Sequence, residues 1–135
     1  MVKHRRGSRR QRTRSAHRPF EELVGLALDA IPEPFASALD EVAIVIADEP
    51  SDEQRRENEL EPDDSLYGLY EGVPRTEWGA DWAPVANRIV LFRLPLEEDF
   101  ADPDELADEV WVTVIHELAH HLGIDDDRLE VLGID

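Results

Sequence analysis

Residues 116–127, HELAHHLGIDDD, hold the side chains whose types and spacing best fit metal or acid–base chemistry. Residues four apart in an α-helix lie one turn apart on the same face, so His116 and His120 can present two imidazoles to one point. Glu117 is next to His116, where its carboxylate can reach a metal-bound water without being a ligand. This H-E-x-x-H spacing predicts two zinc ligands and a general base.

A third ligand is needed, because a catalytic zinc ion takes three protein ligands and keeps one position for water. Gly123 can adopt a positive φ and turn the chain back, which makes Asp126 the predicted third ligand. Asp125 and Asp127 flank it. At least one of them is expected to hydrogen-bond a ligating histidine or the turn, and either replaces Asp126 if that side chain points away. His121 is predicted to lie half-buried behind the ligands, towards the apolar side of the helix.

The donor atoms narrow the choice of metal. The chain contains no cysteine, so the site must be built from histidine and carboxylate. We predict one Zn²⁺ per chain, with Mn²⁺ or Fe²⁺ as alternatives. The plainer interpretation of the segment is an ordinary helix C-terminus, where histidines favour the helix dipole and Gly123 ends the helix.

The elements that must position these residues follow from apolar periodicity. A helix is predicted from about Pro103 to His121, with Asp102 as its N-cap and an apolar stripe that packs on a sheet. Three strands are predicted at VAIVIA (42–47), LYGLYEG (66–72) and RIVLFRL (88–94). Two helices precede them, one over 18–31 and a short one at FASALD. The order indicates an α+β fold with one dominant C-terminal helix.

Charge divides the chain into two parts. Residues 1–18 hold eight of the 14 basic residues and no acid, which predicts a disordered basic tail available for weak contact with nucleic acid or an anionic surface. The alternative is a tail that is merely solvated. Residues 19–135 form one predicted domain with all 32 acids and six basic residues, a formal charge of −26. Within it, residues 48–65 are predicted to be a flexible acidic loop.

The sequence predicts no membrane span. Every stretch of eight residues contains Asp, Glu, Lys or Arg. The basic N-terminus is not followed by the apolar segment of a signal peptide, since Glu21, Glu22 and Asp29 lie in the next helix. We therefore expect a cytoplasmic protein.

From about Phe20 to Gly133 the chain resembles the small bacterial zincin-like metallopeptidases, formerly a domain of unknown function. The resemblance rests above all on VIHELAHHLGIDDDRLEVLG, with support from FEELVGLALDAIPEPF, VAIVIADEP, LYGLYEGVPRTE and RIVLFRLPLE. It implies a minimal zincin fold, in which a short mixed sheet packs on the active-site helix. It also implies that His116, His120 and Asp126 are the metal ligands and Glu117 is the base. The spacing H-E-x-x-H-x-x-G-x-x-D is the metzincin pattern with aspartate in place of the last histidine.

Three functions fit these observations. The first is a zinc-dependent peptidase whose peptide or protein substrate adds to a sheet edge, for which RIVLFRL is the candidate strand. The second is another metal-dependent hydrolase, because the segment is similar to the H-G-x-x-H-x-x-G-x-D-H motif of rRNA-processing endoribonucleases. The third is a non-catalytic binding or regulatory module of zincin shape. It is favoured by the acidic body and by the lack of a Met-turn, since Met1 is the only methionine.

Overall fold

The computed structural model describes residues 2–5, 19–72 and 87–131. The described ranges contain four strands and six helices, with a 3₁₀ turn at Leu39–Glu41. The elements are β1 (Val2–Arg5), α1 (Phe20–Asp29), α2 (Phe35–Ala38), β2 (Val42–Ala47), α3 (Asp52–Glu57), β3 (Asp64–Glu71), β4 (Asn87–Phe92), α4 (Arg93–Asp99), α5 (Pro103–Leu122) and α6 (Asp126–Val131).

The strands form one mixed sheet in the order β1-β3-β4-β2. β2 and β4 are parallel, with Val42 opposite Asn87 and Ala47 opposite Phe92. β3 is antiparallel to β4 on one side and to β1 on the other. Since the helices pack around this small sheet, the predicted α+β class is confirmed, and so is the short mixed sheet on a long C-terminal helix.

The prediction that RIVLFRL is a sheet edge was wrong. β4 is an inner strand, because β3 pairs with it on one side and β2 on the other. The strand also ends at Phe92, two residues before the predicted end, because α4 begins at Arg93. The Arg93 guanidinium binds Asp48 at 2.8 Å and Glu97 at 2.7 Å. Pro95 is tolerated in the first turn of α4, where its missing N–H has no helical acceptor.

Helix α5 agrees with its prediction to within one residue at each end. It begins at Pro103, whose fixed φ suits a first helical position, and Asp102 is the N-cap without a side-chain capping bond. Its apolar face packs against α1 and β3. The fully buried residues of this face are Val110, Val114, Ile115, Leu118 and Ala119. Among the described ranges, no helix is long and apolar enough to cross a membrane.

The predicted flexible loop over residues 48–65 instead contains helix α3. A reciprocal capping box starts this helix: Ser51 Oγ accepts the Gln54 N–H at 3.0 Å, and Gln54 Oε1 accepts the Ser51 N–H at 2.9 Å. Arg55 then donates to the carbonyls of Glu61 at 2.8 Å and Asp64 at 3.0 Å. These bonds order a polar segment without an apolar stripe, which is why composition alone predicted a loop.

The predicted disordered tail also differs from the structure at its start. Residues Val2–Arg5 form β1, which pairs antiparallel with β3 between Asp64 and Gly68. The pairing uses backbone groups of the β3 edge, and composition carries no information about backbone pairing. Residues 6–18, the rest of the predicted tail, lie outside the described part of the chain.

Candidate metal centre

Helix α5 lies close against β3, and one glycine permits the approach. A Cβ atom added to Gly68 would lie 2.5 Å from Thr113 Cγ2 and 3.3 Å from the Val90 carbonyl oxygen. Any side chain there would force Thr113, or the helix that carries it, to shift. One turn after Thr113 on the helix comes Glu117, and two residues after Gly68 on the strand comes Tyr70. The contact between helix and strand therefore continues into the candidate site.

The two histidines of the motif are in one uninterrupted helix. His116 is half-buried and His120 is exposed, and their i, i+4 spacing places them on the same face. His120 lines an open depression of about 350 Å³ together with Gly123, Ile124 and Asp125. A small ligand can therefore reach this end of the helix from solvent.

The turn after α5 has the geometry that the glycine predicted. Gly123 adopts a left-handed conformation with φ of 77°, and its N–H donates to the His120 carbonyl at 3.1 Å. Asp125 then caps the N-terminus of α6, because its Oδ1 accepts the Arg128 N–H at 2.9 Å. The Asp125 carboxylate therefore hydrogen-bonds the backbone after the turn, which is one of the two roles considered for it. Asp127 is exposed.

Asp126 is the first residue of α6, but its side chain lies outside what the structure describes. Among the side chains that are described, no group of three His, Asp or Glu is placed to hold a metal ion. His116 and His120 lie one turn apart on α5, and their joint role as metal ligands is a prediction. Two imidazoles and a nearby carboxylate are a donor set that fits Zn²⁺, and the third ligand stays a prediction.

Glu117 points into the protein. Its side chain is fully buried, and its Oε1 accepts a hydrogen bond of 2.9 Å from the backbone N–H of Tyr70. A carboxylate on an N–H donor makes a charge-assisted bond, which is stronger than a neutral one. The carboxylate of the candidate base is thereby tied to the last residues of β3.

His121 is also fully buried, deeper than the half-buried position predicted for it. Its Nδ1 lies 2.8 Å from the Tyr70 hydroxyl, and its Nε2 lies 2.7 Å from Oε1 of Glu41. Sequence analysis did not identify Tyr70 or Glu41 as residues of the site. They are 51 and 80 residues from His121 in sequence, and no local spacing pattern brings such residues together.

Sequence analysis also missed a second group of ionisable side chains, of which Glu109 interacts electrostatically with His116. Burial raises the pKa of Glu109, the electrostatic interaction with His116 lowers it, and the interaction with Asp99 raises it. Asp99 accepts a 2.5 Å hydrogen bond from the Tyr67 hydroxyl, and burial together with this bond raises the pKa of Tyr67. Helical spacing gave a usable signal for Glu109, because it lies seven residues before His116 and thus on the same face.

Two of three comparisons with known proteins found a match. No curated protein matches the sequence significantly. A solved structure described as a conserved hypothetical protein from Thermo thermophilus superposes with a TM-score of 0.51 at 26% identity, covering 86% of this chain and 96% of that one. The family model of the zincin-like metallopeptidases matches residues 39–134, a segment that includes the whole H-E-x-x-H helix and the turn after it. With its histidine pair on the helix that backs a small mixed sheet, the chain belongs to the zincin-like metallopeptidase family.

Proposed function

We propose that this protein is a zinc-dependent peptidase whose site is formed by His116, Glu117, His120 and Asp126. The observation that carries the proposal is the family match over residues 39–134, a range that contains all four residues. His116, Glu117 and His120 lie on α5, and the left-handed turn at Gly123 follows them. The peptide substrate is the part of the proposal that follows from the family. The predicted nucleic-acid contact through residues 1–18 has no support in the described residues or in the comparisons.

The residues have separate roles in this reaction. His116 and His120 hold the metal through ring nitrogens, and the left-handed turn at Gly123 brings the chain back so that Asp126 supplies the third ligand. A zinc ion bound there supplies a water whose pKa is lowered to about 7. Glu117 would act as the general base, taking a proton from the attacking water and passing it to the leaving amine. Because Oε1 accepts the Tyr70 N–H, we assign the proton transfer to Oε2.

A non-catalytic zincin-like binding module is the second candidate, and one observation favours it. The Glu117 side chain is fully buried and tied to β3, an arrangement that also suits a carboxylate with a structural role. The two candidates differ in turnover, not in fold. They make the same prediction for metal binding if the module has kept its ligands.

The first experiment measures zinc content and affinity of the chelator-stripped protein by titration calorimetry. Asp125→Ala, Asp126→Ala and Asp127→Ala are compared with wild type, and Asp104→Ala, an exposed aspartate in the first turn of α5, is the control for charge removal. We expect one zinc per chain. Loss of Asp126 should weaken binding by more than the roughly 10- to 100-fold that outer-shell substitutions cost.

The second experiment screens zinc-loaded protein against a peptide library. Cleavage by wild type that disappears in Glu117→Gln, with zinc content unchanged, supports the peptidase; His120→Ala should lose both zinc and cleavage. Tight zinc without cleavage of any peptide would favour the binding module. Absence of zinc binding at micromolar concentration would refute both a zinc peptidase and any other zinc hydrolase at this site.

A further inference from the structure

Tyr70 contacts the candidate site in two ways. Its backbone N–H donates to Glu117 Oε1 at 2.9 Å, and its hydroxyl lies 2.8 Å from His121 Nδ1. The Tyr70 and His121 rings also pack together, with centroids 5.6 Å apart and planes tilted by 56°. One residue near the end of β3 therefore joins two neighbouring turns of α5.

His121 extends this connection to a third element. Its Nε2 is 2.7 Å from Glu41 Oε1, and Glu41 is the last residue of the 3₁₀ turn before β2. An ionised carboxylate only accepts hydrogen bonds, and a neutral imidazole has one donor and one acceptor nitrogen. For neutral His121, Nε2 therefore donates to Glu41 and Nδ1 accepts the Tyr70 O–H.

These hydrogen bonds connect Glu117 to a buried histidine through Tyr70. The Tyr70 N–H fixes the position of one carboxylate oxygen of Glu117. The backbone that carries this N–H is paired with β4 through Ile89, and the ring of the same tyrosine is held by the buried His121.

We infer that Tyr70 is the positioning residue of the site: its hydroxyl, held by His121 and Glu41, fixes the end of β3 so that its N–H orients the Glu117 carboxylate. The catalytic part of this inference rests on the proposed function. The geometric part does not, because these hydrogen bonds join protein groups directly. Outer-shell residues that orient reacting groups typically change activity by about 10- to 100-fold when they are removed.

The test follows the backbone amide of residue 70 by NMR in the ¹⁵N-labelled, metal-free, full-length protein. Its chemical shift and its hydrogen-exchange rate are compared in wild type, Tyr70→Phe, His121→Ala and His121→Gln. Tyr67→Phe is the matched control, because it removes a hydroxyl of the same strand that is bonded to Asp99 instead. Tyr70→Phe is close to isosteric, so the experiment does not depend on the fold tolerating loss of a buried histidine.

We expect the amide of residue 70 to exchange on the order of tenfold faster in Tyr70→Phe and His121→Ala, with its shift moving towards that of a weaker hydrogen bond. His121→Gln should restore part of the protection, since an amide side chain both donates and accepts, and Tyr67→Phe should match wild type. An unchanged amide in Tyr70→Phe would overturn the inference whatever the metal site does. Equal loss in Tyr67→Phe would overturn it as well, because the effect would then be general to the strand.

The catalytic part has its own readout, once a cleaved peptide is known. Tyr70→Phe should lower kcat by about 10- to 100-fold while KM and zinc affinity stay at wild-type values. A change in zinc affinity with kcat preserved would contradict a role through Glu117. Failure of zinc binding in wild type would refute the proposed function and leave the amide result as the separate measure of the positioning bonds.

Discussion

At the scale of single residues, the approach of α5 to β3 depends on the missing side chain of Gly68. We expect Gly68→Ala to lower the free energy of unfolding by about 1–3 kcal/mol, because its methyl group would overlap Thr113 Cγ2. Urea denaturation measures the loss. Gly25→Ala in α1 is the control, since nothing lies within 4 Å of a Cβ there, and it should stabilise the protein by up to about 1 kcal/mol.

The clash also predicts a specific repair. Thr113→Ser removes the Cγ2 atom that a Cβ on residue 68 would meet, so it should recover part of the stability lost in Gly68→Ala. A double-mutant cycle measures this coupling. If the two substitutions are simply additive, the helix and strand do not approach each other at this point as described.

Glu109 predicts a pH dependence of stability. The pKa of Glu109 is raised in the folded protein, mainly because the carboxyl is partly buried. The interaction with His116 lowers this pKa, and the interaction with Asp99 raises it. A carboxyl group whose pKa is higher in the folded protein than in the unfolded chain favours folding at pH values below the pKa of the unfolded chain. That contribution is lost as the pH rises through the pKa of the folded protein. At neutral pH the charged Glu109 therefore costs stability, and Glu109→Gln should stabilise the metal-free protein by roughly a few tenths of a kcal/mol, because the side chain is half exposed.

Urea midpoints of wild type and Glu109→Gln, compared from about pH 8 down to about pH 4, check this sign. The gain should shrink as pH falls through the folded pKa. Asp108 is an exposed neighbour on the same helix. The Asp108→Asn variant therefore shows how much of the gain in stability comes from removing any negative charge. A gain no larger than that of the control, or one that grows towards acid pH, would contradict the role assigned to burial.

The motif residues and the residues that hold them differ in how far sequence can predict them. His116, Glu117 and His120 follow from spacing within one helix, and Gly123 follows from the need for a left-handed turn, which the structure has. Tyr70 and Glu41 could not be predicted. They meet His121 across 51 and 80 residues of chain, and this meeting is decided by how β3 and the 3₁₀ turn pack on α5.

At the scale of elements, the connection between α5 and α6 decides where the predicted third ligand lies. Gly123 has φ of 77°, a conformation that costs an L-residue with a side chain roughly 1–2 kcal/mol. We expect Gly123→Ala to lose about that much stability and also to weaken zinc binding, because Asp126 follows the turn. Gly123→Asn should lose less of both, since asparagine tolerates this conformation better. Denaturation and zinc titration of the two variants test the expectation, and equal stability of all three proteins would argue against a strained turn.

Elements with a strong apolar pattern were predicted well. β2 has the bounds that VAIVIA predicted, and α5 extends one residue beyond its prediction. α3 and α4 were missed because side-chain hydrogen bonds and ion pairs order them, through Ser51 with Gln54 and through Arg93 with Asp48 and Glu97. The inner position of β4 was missed for another reason: strand order within a sheet depends on long-range pairing, which an apolar run does not encode.

At the scale of the whole molecule, the excess of acidic residues in one part of the chain lowers the stability of the folded state. Residues 19–135 carry 32 acids and six basic residues, while eight basic residues lie in residues 1–18. Like charges held together in a compact body repel one another, and this repulsion relaxes when the chain unfolds. Ion pairs such as Arg88–Glu71 at 2.7 Å and Arg93–Asp48 at 2.8 Å are half exposed, so they offset little of it.

Salt should therefore stabilise this protein. Between about 0.01 M and 0.15 M ionic strength the Debye length shortens from about 30 Å to about 8 Å, and the urea midpoint should rise over this range and then level off. The measurement is made with a chelator present, so that a cation in the metal site does not contribute, and chloride is compared with sulfate at equal ionic strength. Equal midpoints in the two salts identify screening, whereas a larger rise in sulfate identifies a general salting-out effect. A midpoint that is flat or falls with salt would mean that the basic N-terminal residues already neutralise the acidic body in the folded state, since salt would then weaken an attraction instead of a repulsion.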